Sequence, residues 1–234
     1  MKILQKGFNY SQDGPGNRLV YHLQGCNFRC KWCSNPESMF ADEGNFTEYS
    51  AEELADEANR SRMMFFDGGG VTFTGGECTV QYRELLELLK LLRTYGINTA
   101  IETNGSSEHL KEIAEYVDYL IMDFKHFDSD THKKWTGTGN ETVKSNLDYF
   151  LSTGRQLHIR IPLIHNVNDN PDGFADFFRG KNVKNAVVEF LPYHEYGKDK
   201  WTREYEIIDG FVSEETVKNF EKKFSEIGIK SVKT

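Results

Sequence analysis

Gly25-Cys26-Asn27-Phe28-Arg29-Cys30-Lys31-Trp32-Cys33 is the stretch that decides how this chain is read. Three of its four cysteines, Cys26, Cys30 and Cys33, fall here within eight positions, and Cys78 stands alone. A disulfide framework spreads an even set of cysteines through a short secreted chain, whereas this crowding reads as metal ligation in a reducing cytoplasm. Cys-x3-Cys-x2-Cys supplies three thiolates on one tight loop. That is three corners of a four-iron cluster and one ligand short of a closed tetrahedral zinc site. An iron without a protein ligand can be chelated by the amino and carboxylate groups of a small molecule. The competing reading is a structural zinc site completed by His22 or Cys78, although zinc knuckles generally come as paired spacings. Trp32, just before the third cysteine, is either a core residue or a face on which a purine ring can stack.

Outward from this loop the chain alternates. Leu19 to Gln24 has the β-branched and aromatic content of a strand and stops at Gly25. Ser50 and Glu53 form a capping-box signature for a helix over 51–64, and a strand follows over 70–74. Leucines at helical spacing predict a helix over 79–95 that ends before Gly96. Strands are then expected over 97–103, 119–124, 157–162 and 186–191, with helices over 106–117, 141–153, 172–179 and 213–227. Six strands alternating with helices predict an α/β fold with a parallel sheet, which right-handed crossovers would curl into a part-barrel, short of the eight strands of a closed TIM barrel. With no Pro-rich or repeated segment, one domain over 1–234 is the simplest organisation.

Polar groups stand at the predicted strand ends: Gly25-Cys26, Gly75-Gly76-Glu77, Glu102-Thr103-Asn104, Asp123 with Lys125, Arg160, and Tyr193-His194. Ligands of parallel α/β sheets bind outside the carboxyl ends of the strands, so these groups should converge on one face. Gly75 and Gly76 permit close backbone approach, and Glu77 adds a carboxylate suited to an ammonium group. Lys125 and Arg160 are cations able to neutralise a ligand carboxylate; for Arg160 an ordinary ion pair is the alternative.

Composition narrows the function classes. Lys and Arg number 28 against 36 Asp and Glu, a net charge of −8, which argues against broad binding of nucleic acid or anionic membrane. No apolar run approaches the ~18 residues of a membrane span. Met1 to Lys6 lacks the apolar core of a secretory signal, so a cytoplasmic protein is expected.

Taken together, these motifs resemble the radical S-adenosylmethionine (SAM) superfamily, and the residues around the cysteines resemble its glycyl-radical-enzyme activating enzymes. The resemblance runs through Asp13-Gly14-Pro15-Gly16-Asn17-Arg18, Cys33-Ser34-Asn35-Pro36-Glu37, Gly70 to Glu77, Glu102 to Gly105, Asp123 to Lys125, Arg160 to Pro162 and Leu191 to Lys198. It implies a partial (β/α)6 TIM-type barrel holding a 4Fe-4S cluster on Cys26, Cys30 and Cys33, with SAM on the unique iron. Reductive cleavage of SAM to a 5′-deoxyadenosyl radical and removal of a glycine Cα hydrogen from a partner glycyl radical enzyme would follow, with no catalytic side chain beyond the cluster and SAM. By the same resemblance Trp32, Gly75, Gly76, Glu77, Asn104, Lys125, Arg160 and His194 would bind SAM. Glu102, Thr103 and Asp123 would hold a monovalent cation, Na+ or K+, and Asp13 would meet the glycyl loop.

Two features depart from the family. Cys78 follows Gly-Gly-Glu where many relatives have Pro or Ala. The Cys33-Ser-Asn-Pro-Glu wording is commoner in larger activases with a ferredoxin-like insert, yet residues 34–74 contain no cysteine and can build no auxiliary cluster. The electron must then come from outside, from a flavodoxin or ferredoxin, and Arg29 and Lys31 are the expected basic contacts for an acidic donor. The enzyme is expected to work anaerobically as a monomer. The alternatives are a radical SAM enzyme acting on a small molecule or peptide natural product, and a zinc or cluster module without catalysis.

Overall fold

The strand expected before the cysteine loop is β2 (Asn17–Leu23), and its alternating side chains set the architecture around it. The computed structural model describes residues 1–233, so the last position of the expected 1–234 domain lies outside the described residues. These residues form two units. The first comprises Met1–Asn27, Glu37–Thr103 and Ser107–Ile121; the second comprises Phe28–Pro36, Asn104–Ser106 and the chain from Met122 onward.

In the first unit β2 pairs in parallel with β4 (Gly70–Gly75), and β4 with β5 (Thr99–Thr103). Leu19, Tyr21, Leu23, Val71, Phe73 and Ile101 share one face of these strands and are buried. Tyr21 reaches α1 (Ala51–Arg60), its hydroxyl donating to Glu57 at 2.9 Å. Next to α1 packs α2 (Tyr82–Thr94), whose Leu85, Leu88, Leu89 and Leu92 are fully buried; truncating any one to Ala should cost about 2–5 kcal/mol. The opposite strand face carries Arg18, Thr72, Thr74 and Glu102. That polar face is where chemistry can be placed.

Three shorter elements also belong here: β3 (Thr47–Glu48), α3 (Leu110–Ala114) and β6 (Tyr119–Asp123), along which the chain passes into the second unit. The helix expected over 106–117 thus contracts to five residues. An unforeseen strand, β1 (Lys2–Tyr10), runs antiparallel to β2, giving the order β3-β1-β2-β4-β5-β6. Gln5, Lys6, Gly7 and Phe8 are all exposed, so this strand has no alternation of burial for a sequence reading to detect.

The second unit contains α4 (Ser129–Thr136), α5 (Glu141–Thr153), β7 (Leu157–Leu163), α6 (Pro171–Phe178), β8 (Ala186–Pro192), α7 (Glu214–Glu226) and β9 (Lys230–Ser231). Strands β7, β8 and β9 are parallel neighbours in that order. Phe190 of β8 meets Phe220 and Phe224 of α7 at 5.3 and 5.1 Å between ring centres, and Phe174 and Phe178 of α6 extend the aromatic layer. The other face of β7 and β8 bears His158, Arg160 and Glu189. Helix α4 was not expected from sequence. Only His132 and Thr136 are buried along it, yet the Asp128 N-cap and left-handed Gly137 bracket it as capping chemistry requires.

Candidate active site

In the first unit β2 and β4 end side by side, Leu23 opposite Gly75, and the chain beyond them is tightly knit. Gly76 N–H donates to Leu23 O at 2.9 Å and Glu77 N–H to Gly25 O at 2.8 Å. A Cβ on Gly76 would stand 2.3 Å from Gly25 O, and Gly75 adopts φ +113° with Leu23 N as close. The close approach expected of this glycine pair is therefore an approach to the backbone just before Cys26. The far side is held as well: Gly25 N–H donates to Ser38 O and Cys26 N–H to Met39 O, while the Gln24 amide donates to the carbonyls of Glu37, Phe40 and Glu43.

Glu77 is 2% exposed. Its Oε1 accepts Thr79 N–H at 3.0 Å, the Thr79 hydroxyl at 2.6 Å and the Thr103 hydroxyl at 2.7 Å. The carboxylate is thereby fixed in orientation by two threonines. Thr79 was not foreseen, because nothing in its own position marks it. The hydroxyl of Thr74 donates to Glu102 Oε2 at 2.8 Å, so Glu102 and Thr103 send their side chains to opposite faces of β5. A cation beside Glu102 would have to take Thr103 by its backbone.

Cys78 is fully buried. Burial and the carboxylates of Glu77 and Glu102 push its thiol well up, and it donates to Glu102 O at 3.4 Å. Asp13 sits in a loop pinned to the polar face of β4: its Oδ2 accepts from Asn9 at 2.5 Å and its carbonyl from the Thr72 hydroxyl at 2.7 Å. The pin is Arg18, wholly buried, which donates to Thr72 Oγ1 at 2.6 Å, Val71 O at 2.8 Å, Asn98 Oδ1 at 3.0 Å and Pro15 O at 3.1 Å. Burial lowers its pKa to about 10, so it stays charged at neutral pH.

In the second unit Arg29 N–H donates to Thr136 O at 2.7 Å and Lys31 N–H to Trp135 O at 3.1 Å, which fastens Cys30 beside the end of α4. Cys33 N–H donates to Cys30 O, and Asn35 N–H points at Cys33 Sγ across 3.4 Å. Lys125 lies 2.6 Å from Asp123 Oδ2. Burial works against its ammonium, but Asp123 and the sulfurs of Cys30 and Cys33 outweigh it and hold the pKa above the usual lysine range. Lys125, Asp123 and two cysteines are thus brought together.

The remaining candidates have contacts of their own. Arg160 Nε donates to buried Glu189 at 2.8 Å, and His158 Nε2 lies 3.2 Å from the same oxygen, so the ion-pair reading of Arg160 holds for that nitrogen. Glu189 went unnoticed, although a lone Glu inside the apolar run Ala186 to Leu191 was a signal. Asn104 accepts from the Ser106 N–H and hydroxyl, closing a turn. Trp32 packs on the apolar cluster of Ile164, Tyr193 and Ile207. His194 is exposed and stacks on Tyr196 at 4.4 Å; the desolvation it does suffer lowers its pKa.

The donor set suits an iron-sulfur cluster: three thiols on one loop, an N–H directed at one sulfur, and a lysine charge near two of them. Among the described residues no three His, Cys, Asp or Glu side chains are gathered around a single ion; thiolates of a four-iron cluster each bind a different iron.

Residues 20–178 match the Radical SAM superfamily. The chain is 37% identical over 201 residues to a pyruvate formate-lyase-activating enzyme of Clostridium pasteurianum, covering 82% of this chain and 81% of that protein. It is 31% identical to a choline trimethylamine-lyase activating enzyme of Oleidesulfovibrio alaskensis, covering 81% and 82% respectively. Its fold matches the crystal structure of a radical SAM methyltransferase from Sphaerobacter thermophilus with a TM-score of 0.68, at 17% identity, over 97% of this chain and 72% of that one. The chain belongs to the radical SAM superfamily, within it to the activating enzymes of glycyl radical enzymes, and it has that superfamily's α/β fold. That family uses a 4Fe-4S cluster and SAM.

Proposed function

We propose that this radical SAM activase acts on a glycyl radical enzyme of the pyruvate formate-lyase kind, as one anaerobic, cytoplasmic, monomeric domain spanning residues 1–234. The superfamily match takes in parts of both units, which supports a single domain. Among the described residues no helix is long and apolar enough to cross a membrane. When bound, the cluster and SAM supply a 5′-deoxyadenosyl radical able to take a glycine Cα hydrogen.

The chain's own residues bind and orient. Cys26, Cys30 and Cys33 would ligate the cluster, the first held through Gly25 and the other two through the bonds from Arg29 and Lys31 to α4. Glu77, fixed by Thr79 and Thr103, would accept from the SAM ammonium. Lys125 and Arg160 would place positive charge toward the SAM carboxylate, and Trp32, Asn104 and His194 would lie about the nucleoside. Glu102 and Asp123, with Thr103, are assigned to a monovalent cation, and Asp13 to the incoming glycyl loop. A flavodoxin or ferredoxin would deliver the electron.

The observation that carries this reading is the bond from Glu77 N–H to Gly25 O, which joins the Gly-Gly-Glu turn to the residue preceding the first cysteine. The test is to incubate reduced enzyme and SAM with a pyruvate formate-lyase and record the EPR spectrum. A glycyl doublet on the lyase supports the reading. SAM cleavage with no radical on any glycyl radical enzyme offered would move the activity to a small-molecule or peptide substrate.

A further inference from the structure

The chain leaving β8 returns to the cysteine loop and grips it at four places. Gly197 lies so close to Ser34 that a Cβ there would stand 2.3 Å from Ser34 O and 2.4 Å from its Cα. Trp201 Nε1–H donates to Cys33 O at 3.0 Å, and Lys200 Nζ to Asn35 Oδ1 at 3.1 Å. Glu206 accepts from Lys31 Nζ at 2.5 Å. Positions 31, 33, 34 and 35 are therefore all held by residues 197–206.

This segment is itself anchored at both ends. Tyr193 and Ile207 are buried with Ile164 in one apolar cluster, against which Trp32 and Tyr205 pack. The Tyr193 and Tyr205 hydroxyls are 2.9 Å apart, and Trp201 meets Tyr205 edge-on at 5.3 Å between ring centres. The indole is thus oriented by a ring whose own position is fixed.

Two of the four grips bear on the sulfur of Cys33. The carbonyl held by Trp201 belongs to the peptide between Cys33 and Ser34, and the residue held by Lys200, Asn35, is the one whose N–H points at Cys33 Sγ. Hydrogen bonds to cluster sulfurs and exclusion of solvent set how firmly a cluster is held and at what potential it is reduced. We propose that residues 197–206 are a retaining strap on the cysteine loop and that Trp201 is its positioning residue, fixing the Cys33 corner of the cluster.

This rests on the cluster assignment above, and the two fail differently. Trp201→Phe keeps the ring and removes the N–H, and Lys200→Ala releases Asn35 without touching the core. In each reconstituted protein, iron release to a ferrous chelator, the EPR spectrum of the reduced cluster and the unfolding midpoint would be measured, with Phe224→Leu, remote from the cysteine loop in sequence, as a control for loss of stability alone. The strap predicts iron release about 10-fold faster in Trp201→Phe, with an altered cluster spectrum, and a smaller change of the same kind in Lys200→Ala. It also predicts that Phe224→Leu lowers the unfolding midpoint without altering the spectrum. Iron release and a spectrum like wild type in Trp201→Phe would overturn the strap, and so would release rates that simply track unfolding across all three variants. A wild-type protein that takes up no iron would instead overturn the cluster assignment.

Discussion

The Thr103 hydroxyl donates to Glu77 Oε1 across 2.7 Å, tying the residue that ends β5 to the carboxylate just beyond its neighbour β4. On the proposed reading this buried carboxylate would meet the SAM ammonium and would have to be aimed before the ligand arrives; Thr103 and Thr79 hold it from two elements.

SAM affinity should therefore fall in a graded way. Glu77→Ala should lose most of it, and Thr103→Val, which removes one donor to a charged acceptor, should weaken binding roughly 10-fold, about 1.4 kcal/mol, with Thr103→Ser close to wild type. Equilibrium binding to cluster-loaded protein measures this. Gly76→Val is expected to behave differently, because its side chain would drive into Gly25 O and displace Cys26, losing cluster and SAM together.

Cys26→Ala, Cys30→Ala and Cys33→Ala should each abolish cluster assembly, whereas Cys78→Ala should retain it. The Cys78 thiol is buried, held protonated by its two carboxylate neighbours and engaged with Glu102 O, so it is a packing group with a weak donor. Iron and sulfide analysis of the four variants decides the matter; equal iron loss in Cys78→Ala would show it to be a ligand.

Much of this site could be seen in the sequence because each polar residue closes a predicted strand, and strand ends are where the alternation of strand and helix is easiest to read. Glu77, Glu102 and Asp123 were found that way. The hydrogen bonds that orient them were not. Thr103, expected only beside a cation, acts on Glu77, Glu189 acts on Arg160, and Trp201 acts on Cys33 from elements distant along the chain, and no local periodicity encodes such a pairing; Thr79 acts on Glu77 from two residues away, as part of a local cap. The same holds for β1, whose stability comes from its ladder with β2 and not from a buried face of its own. Helix α4 was marked by its caps alone.

That helix carries a pH-dependent group. His132 is buried edge-on against Phe28 at 5.2 Å, and Nδ1–H donates to Thr138 O at 2.5 Å. Burial lowers its pKa to about 4 from an ordinary 6.5, so as pH falls the unfolded chain takes up this proton first. Its contribution to stability is complete above pH 6.5 and is lost progressively toward pH 4. Urea unfolding at pH 7.5 and 5.5 should show a larger acid loss in wild type than in His132→Gln; parallel losses would mean that His132 is not held neutral.

Electron delivery is the other test. Lys31 is taken up by Glu206, whereas Arg29, Lys133 and Lys134 are exposed around the same loop, so they are the better docking contacts. Arg29→Glu with Lys134→Glu should slow reduction by a flavodoxin several-fold at low salt and leave reduction by dithionite unchanged. Equal slowing with both reductants would assign these residues to the cluster and not to a donor.

In the proposed reaction a glycine Cα hydrogen of a partner protein is the atom removed. The most direct test is a pyruvate formate-lyase expressed with Cα-deuterated glycine, incubated with reduced enzyme and unlabelled SAM, and mass analysis of the 5′-deoxyadenosine formed. One deuterium is expected in that product, appearing in step with the protein radical; 5′-deoxyadenosine formed at the same rate without deuterium would mean that the hydrogen comes from elsewhere.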